Sequence, residues 1–197
     1  MNQLIQQIFQ ESIAVKQATL KTNLDKIQQA TETIVAALKN NRKVLLCGNG
    51  GSAADSQHIA AEFIGRFQKE RRSFAAIALT TDTSILTALG NDYGFDHVFS
   101  RQIQALAHAG DVAIGISTSG TSPNVVSGLE LCREKGVHTV AFTGCTGGKL
   151  KNVADHCICV PSNETPRIQE CHILIGHIIS QLVEQTIFHE QSCLLRS

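Results

Sequence analysis

His58 and Glu62 stand four residues apart, and Asp55 and Arg66 continue that spacing on either side. Residues three and four apart share a face of a helix, so this stretch predicts one face of titratable side chains. A histidine and a carboxylate at that spacing suit either a metal pair or an acid/base pair. Just before them lies Cys47-Gly48-Asn49-Gly50-Gly51-Ser52. Its glycines can take positive φ and let a ligand approach the main chain closely. A strand, a glycine-rich loop and a helix N-terminus in succession can hold a phosphate. A second loop, Ser117-Thr118-Ser119-Gly120-Thr121-Ser122, offers hydroxyls and free helix-start N–H groups to the same kind of ligand. No lysine follows its glycine, so it is not a Walker loop. Near the C-terminus, Gln169, His172 and His177 sit in an apolar context. At 100° per residue, Gln169 and His177 lie about 80° apart, whereas His172 and His177 differ by about 140°. Gln169 and His177 can therefore face one site, and His172 reads as structural or supporting. Two phosphate loops beside a titratable face point to catalysis on a sugar phosphate.

Elements that alternate between strand and helix must position these residues. Apolar runs at Lys43–Leu46, Ala75–Thr80, Asp111–Ile116, His138–Phe142 and Cys157–Pro161 read as strands. The helices between them begin at Ser52, after Thr81-Asp82-Thr83 and running to Leu89, near 96–107, at Pro123 with Gly136 as its end, and after Gly147-Gly148. Gly90-Asn91-Asp92-Tyr93-Gly94 reads as a loop. A last helix runs from Thr165-Pro166 to about Phe188, with Thr165 as its cap, and residues 189–197 read as a frayed tail. Two more helices precede the first strand. One covers 2–20, and the second starts near 23 behind a Thr22-Asn23-Leu24-Asp25 cap. The expected fold is α/β: one domain over 1–197, a three-layer α-β-α sandwich around a five-stranded parallel sheet, with an N-terminal helical extension over 1–40. That extension would serve oligomerisation or cover an edge of the same sheet. Ligands in such sheets bind beyond the carboxyl ends of the strands, where the polar loops fall.

The 197 residues are enough for one domain with a full core. Charged residues are 17% of the chain and cancel to a net charge of zero, which argues against direct nucleic-acid binding through clustered lysine and arginine. No apolar run approaches the ~20 residues of a membrane span, and the N-terminus lacks the basic region of a secretory signal. The seven cysteines are odd in number, and several lie within apolar runs. They read as reduced core residues of a cytoplasmic protein rather than as a cysteine-rich metal site, since no C-x-x-C is present.

Several motifs occur together and in order. They are Cys47-Gly48-Asn49-Gly50-Gly51-Ser52, His58-x-x-x-Glu62-x-x-Gly65-Arg66, Gly90-Asn91-Asp92, Ile116-Ser117-Thr118-Ser119-Gly120 and Arg167-Ile168-Gln169-Glu170-x-His172. In this combination the chain resembles the phosphoheptose isomerase family of the sugar isomerase (SIS) domain superfamily along nearly its whole length. The resemblance implies an aldose–ketose isomerase converting sedoheptulose 7-phosphate to D-glycero-D-manno-heptose 7-phosphate, as a precursor of bacterial lipopolysaccharide and related surface heptose. It also implies a homotetramer with sites shared between subunits. By position, Ser117, Thr118, Ser119 and Ser122 would hold the phosphate with help from Ser52. Asn49, Gly50, Gly51, Asn91, Asp92 and Gln169 would line the sugar, with Glu62 also touching it. Glu62 and His177 would be the acid/base pair, in either order. His58, Glu62, Gln169 and His177 would hold one Zn2+ per subunit.

Phe9–Ile13 and Gln104–Val112 also resemble a paralogous group, the DnaA initiator-associating protein, a tetrameric binding protein without catalysis. That group loses the glutamate of the catalytic face and carries threonine in place of Gly51, whereas Gly51 and Glu62 are both present here. A carboxylate on this face has a use in proton transfer or metal binding, so the enzyme reading is preferred. A sugar-phosphate sensor would keep both loops and could dispense with Glu62 and His177.

Overall fold

The computed structural model describes the backbone of residues 1–194 and the side chains through residue 188. Among the described residues, seven α-helices and one short 3-10 turn surround a five-stranded sheet. In chain order the elements are α1 (Asn2–Lys39), β1 (Val44–Gly48), α2 (Gly51–Ile64), β2 (Ala76–Ala78), α3 (Thr83–Tyr93), a 3-10 turn (Phe95–His97), α4 (Val98–Leu106), β3 (Val112–Ser117), α5 (Pro123–Glu134), β4 (His138–Thr143), α6 (Leu150–Val153), β5 (His156–Cys159) and α7 (Thr165–Leu194). The sheet is parallel throughout, in the order β2-β1-β3-β4-β5.

Alternation along the central strands sorts the core into two layers, as the pleat requires. Leu46, Ile114 and Phe142 point to one face, where they pack with Ile34 of α1, Ile59 and Phe63 of α2 and Ile175 of α7. Leu45, Ala113 and Ala141 point to the other, against Phe99 and Ile103 of α4 and Leu129 of α5. The three-layer expectation therefore holds. Strand order reverses between β1 and β3, and the crevice at such a switch point is the ligand site of open α/β sheets. Both polar loops open there, one after β1 and one after β3.

Three element boundaries differ from expectation. The N-terminal region is one helix of 38 residues, not two. It holds no glycine or proline, and the expected cap at Thr22-Asn23 is diverted: Thr22 Oγ1 donates back to Ala18 O (3.0 Å), while Asn23 bonds Cys159 O and N on β5 (2.9 and 3.1 Å). The expected loop at 90–94 is the last turn of α3. Asp82 caps that helix by accepting Ile85 N–H (2.9 Å), and Gly94, at φ +87°, ends it. α7 starts at Thr165 itself and continues beyond Phe188 to Leu194, so the expected tail is helical to 194; residues 195–197 lie outside the described residues. Gly136, at φ +68°, does follow the end of α5. Among the described residues, no helix is long and apolar enough to cross a membrane. The six described cysteines are free thiols; the Cys193 side chain lies outside the described residues.

Candidate functional site

The first loop is shaped by close backbone approach. A Cβ on Gly48 would lie 2.8 Å from Ser52 O and 2.9 Å from Ile116 O, so only glycine fits at the end of β1. Gly50 holds φ +55°, which lets the chain turn into α2. Ser52 is buried in the first turn of that helix, and its carbonyl accepts from Ser56 Oγ (2.8 Å). Asn49 ties this loop to the second: its side-chain amide exchanges two 2.9 Å hydrogen bonds with Asn124, which is buried at the start of α5. Sequence reasoning missed Asn124, because nothing local distinguishes it from a helix-start asparagine.

In the second loop the Ser117 hydroxyl lies 2.8 Å from Ser122 Oγ and 3.4 Å from Ser119 Oγ. Thr121 N–H and Oγ1 both donate to Ser119 Oγ (3.2 and 3.0 Å). Ser122 precedes α5 without capping it through its side chain, and Pro123 supplies the first turn. Hydroxyls and helix-start N–H groups are thus gathered in one turn at the positive end of a helix. Thr118 O accepts from Gly144 N–H (2.9 Å), and a small polar cavity lies between these segments, lined by Thr118, Ser119, Thr146, Ser162 and Asn163.

α2 and α7 carry the titratable residues, and one glycine lets them meet. A Cβ on Gly176 would fall 2.5 Å from Ile59 Cδ1. The two neighbours of that contact, His58 and His177, face each other with ring centroids 5.0 Å apart and Nε2 atoms 3.0 Å apart. Glu62 Oε1 is 3.2 Å from His58 Nε2. Phe67 walls the cluster, its ring centroid 5.7 Å from that of His177. One turn before His58, Asp55 Oδ2 is buried and has no hydrogen-bond partner among the described residues. Burial pushes the Asp55 carboxyl up, against the pull of His58 and His177.

Ligand atoms of His58, Glu62 and His177 lie within 4.8 Å of one another. Around a tetrahedral zinc with bonds of about 2.0–2.1 Å, neighbouring ligand atoms stand about 3.3–3.4 Å apart. His58 Nε2 stands 3.0 Å from His177 Nε2 and 3.2 Å from Glu62 Oε1, so His58 has near-tetrahedral spacing to both neighbours, and two imidazoles and a carboxylate are zinc-type donors.

The remaining expected residues divide. Gln169 reaches the first loop: a Cβ on Gly51 would be 2.6 Å from its Nε2, so that glycine makes room for the glutamine. Eight residues separate Gln169 from His177, a rise of about 12 Å along α7. Asn91 and Asp92 are exposed on the last turn of α3 and hydrogen-bonded to each other (2.8 Å). Arg66 lies beyond the end of α2 and pairs with Glu70 (3.5 Å), so it leaves the helical face on which its spacing had put it. His172 is buried, with Nε2 3.1 Å from Thr143 O, and burial lowers it to about 4. Sequence reasoning also missed the anchor beneath the site. Buried Glu184 on α7 accepts from the N–H groups of Phe67, Gln68 and Lys69 and from Arg71 Nε, and Arg71 bonds the Glu62 carbonyl (2.8 Å).

A parallel sheet with phosphate-type loops at its switch point and a histidine–carboxylate cluster between two helices defines a SIS domain protein. The chain matches the SIS domain family over residues 7–144. It is 55% identical over 193 residues to the phosphoheptose isomerase of Aneurinibacillus thermoaerophilus, covering 97% of this chain and 98% of that one. With the phosphoheptose isomerase of Aquifex aeolicus it shares 57% over 183 residues, or 93% and 96% of the two chains. The solved structure of phosphoheptose isomerase from Neisseria gonorrhoeae superposes with a TM-score of 0.89 at 47% identity, over 93% of this chain and 98% of that one. The chain belongs to the phosphoheptose isomerase family.

Proposed function

We propose that this protein is an aldose–ketose isomerase that converts sedoheptulose 7-phosphate to D-glycero-D-manno-heptose 7-phosphate, a heptose precursor for lipopolysaccharide and related surface polysaccharides. The observation that carries the reading is the gathering of Glu62 and His177 around His58, which lies 3.2 and 3.0 Å from them, beside loops suited to a phosphate. The relatives reported above carry the isomerase name, and no observation favours a non-catalytic initiator-binding role. Gly51 is part of the distinction. A threonine there would push the Gln169 amide away from the first loop.

In this reading Ser117, Thr118, Ser119 and Ser122 grip the phosphate, with Ser52 completing the grip from α2. Asn49, Gly50, Gly51 and Gln169 border the sugar chain. Isomerisation moves a proton between C1 and C2 through an enediol, which needs one base at carbon and one group exchanging protons with the oxygens. Glu62 removes the carbon proton, and His177 serves the oxygens. Phe67 shields the His177 side of the cluster from water. His58, Glu62 and His177 would hold zinc, with Gln169 the fourth ligand by family resemblance. When bound, the ion polarises the substrate carbonyl.

The homotetramer expected from the resemblance suits two exposed surfaces. α1 leaves Leu4, Ile5, Phe9, Ile13, Leu20 and Leu24 largely uncovered, an apolar stripe that a second copy would bury. Asn91 and Asp92, exposed on α3, would then serve a neighbour's site.

The test is turnover of sedoheptulose 7-phosphate by the purified protein, before and after chelation and again after zinc is restored. Aldose product that chelation removes and zinc restores is the expected result. No product from folded, zinc-loaded protein would overturn the assignment.

A further inference from the structure

Two thiols outside the site share one face of the edge strand. Cys157 and Cys159 are two residues apart on β5, so their side chains project to the same side of the sheet, with sulfurs 3.6 Å apart. Thr143, on the neighbouring strand, places its hydroxyl 3.6 Å from Cys157 Sγ and 3.4 Å from Cys159 Sγ. The two thiols differ in access: Cys157 is buried and Cys159 half-buried. They differ also in charge. The hydrogen bond from the Cys157 thiol, joined by Thr143 and by the ammonium groups of Lys26 and Lys151, outweighs burial and lowers Cys159 below the ordinary thiol range. The same thiol–thiol bond and burial push Cys157 up. The shared proton therefore favours Cys157, and the half-buried Cys159 sulfur carries the thiolate character, the arrangement of an attacking and a resolving cysteine. Cys47 and Cys132 are buried and pushed up by that burial, which leaves them inert.

We propose that Cys157 and Cys159 form a redox-active dithiol that a hydroperoxide converts into a reversible disulfide. The Cys159 thiolate attacks the terminal peroxide oxygen. An S–O bond forms, the O–O bond breaks, two electrons pass from sulfur to peroxide, and the leaving alkoxide or hydroxide takes up a proton. The Cys157 thiol then attacks Cys159 Sγ. An S–S bond forms, the S–O bond breaks, and the departing hydroxide leaves as water with the Cys157 proton. One peroxide is consumed per disulfide, and no further reductant is needed.

The strand geometry makes this bridge strained and labile. Residues two apart on a strand have Cα atoms about 6.6 Å apart, near the upper end of the roughly 4.4–6.8 Å that disulfides span, and because the side chains leave the strand in parallel the backbone must bend to bring the Cβ atoms to the roughly 3.5–4.5 Å of a disulfide. A bridge at that limit is strained and easily reduced, which suits a switchable bond better than a structural one. β5 has one strand neighbour, β4, so it can flex to close the gap. Asn23 holds the Cys159 N–H and C=O (3.1 and 2.9 Å), so closing the bridge strains that attachment and reduction restores it. The inference does not rest on the isomerase reading.

The experiment treats the purified full-length protein with a small excess of hydrogen peroxide, alkylates the remaining thiols and digests with trypsin. Residues 152–167 leave as one peptide that carries both cysteines. The expected result is a peptide lighter by two hydrogens that resists alkylation, regains both thiols with dithiothreitol and appears at least about tenfold faster than modification of exposed Cys145. In Cys157→Ser the reaction should stop at a sulfenic acid on Cys159 that dimedone traps. A peptide that stays alkylatable while Cys145 oxidises would overturn the proposal, as would the absence of a dimedone adduct in Cys157→Ser.

Discussion

Replacing Glu184 with alanine should remove the anchor of the segment that follows α2. Its carboxylate is 1% exposed and accepts from Lys69 N (2.8 Å), Gln68 N (2.9 Å), Phe67 N (3.0 Å) and Arg71 Nε (3.2 Å). The Arg71 side chain is 3% exposed and also donates to the carbonyls of Glu62, Phe63 and Gly65 (2.8–3.1 Å). Truncating Glu184 leaves a buried guanidinium without its counter-charge, which costs about 3–5 kcal/mol. A chain of this size loses about 2–4 °C of Tm per kcal/mol, so the melting point should fall by roughly 6–20 °C. The effect also has a pH signature. Burial alone would push Glu184 up, but the three N–H groups and Arg71 outweigh it and hold the carboxyl below its usual range. A carboxylate with a depressed folded pKa contributes stability in full above its unfolded value of about 4.3 and loses it as pH falls through the folded value. The gap between wild type and Glu184→Ala should therefore be complete at pH 7 and shrink below about pH 4. The assay is urea unfolding of wild type, Glu184→Ala, Arg71→Met and the double variant. The double variant should lose less than the sum of the singles, because it leaves no orphaned charge. Additive losses, or a Glu184→Ala loss under about 1 kcal/mol, would refute this account of the pair.

Three further outcomes are expected. Glu62→Gln keeps the shape of the site but removes the base, so kcat for sedoheptulose 7-phosphate should fall by about 10²–10⁴; an unchanged rate would sink the role given to Glu62. His172 is held neutral by burial, at about 4 in the folded chain against about 6.5 unfolded. Its contribution is complete above pH 6.5 and lost as pH falls towards 4, by up to about 3 kcal/mol; His172→Gln should flatten that limb of the stability–pH curve, and a curve of unchanged slope would contradict the reasoning. Gly176→Ala brings a methyl within 2.5 Å of Ile59 Cδ1, an overpacking that costs about 1–3 kcal/mol. It should part the His58 and His177 rings and weaken zinc binding measured by calorimetry; equal affinity would mean that the helix crossing does not set their spacing.

The strands, both loops and the histidine–glutamate face were legible because their signals are local. Apolar runs, glycines in a turn and i,i+4 spacing depend on a few neighbouring residues, and the sheet then places them at its carboxyl edge. One misreading arose where a distant partner decided the outcome. Thr22-Asn23 has the composition of a cap, but β5 engages Asn23 and the helix runs on. Gly90 looks like a breaker, but a single glycine costs a helix only about 1 kcal/mol, and Gly94 ends α3 instead. Glu184 and Asn124 passed unnoticed because their partners lie over 110 and 75 residues away, respectively.

Those two distant contacts explain how local motifs become one site. α2 brings a phosphate-loop end and a titratable face on the same rigid element, but its own sequence fixes neither its position along α7 nor its distance from β3. The reciprocal amide pair of Asn49 and Asn124 fastens the loop end to the start of α5. Glu184 and Arg71 fasten the other end, through the Glu62 carbonyl, to α7. Between them, Gly176 sets how closely α7 lies on Ile59. Held at both ends and at the crossing, α2 has little freedom to slide, and a 3.0 Å approach of two histidines from different helices demands that. Loss of either fastening should therefore disturb the His58–Glu62–His177 cluster, although neither Asn124 nor Glu184 belongs to it.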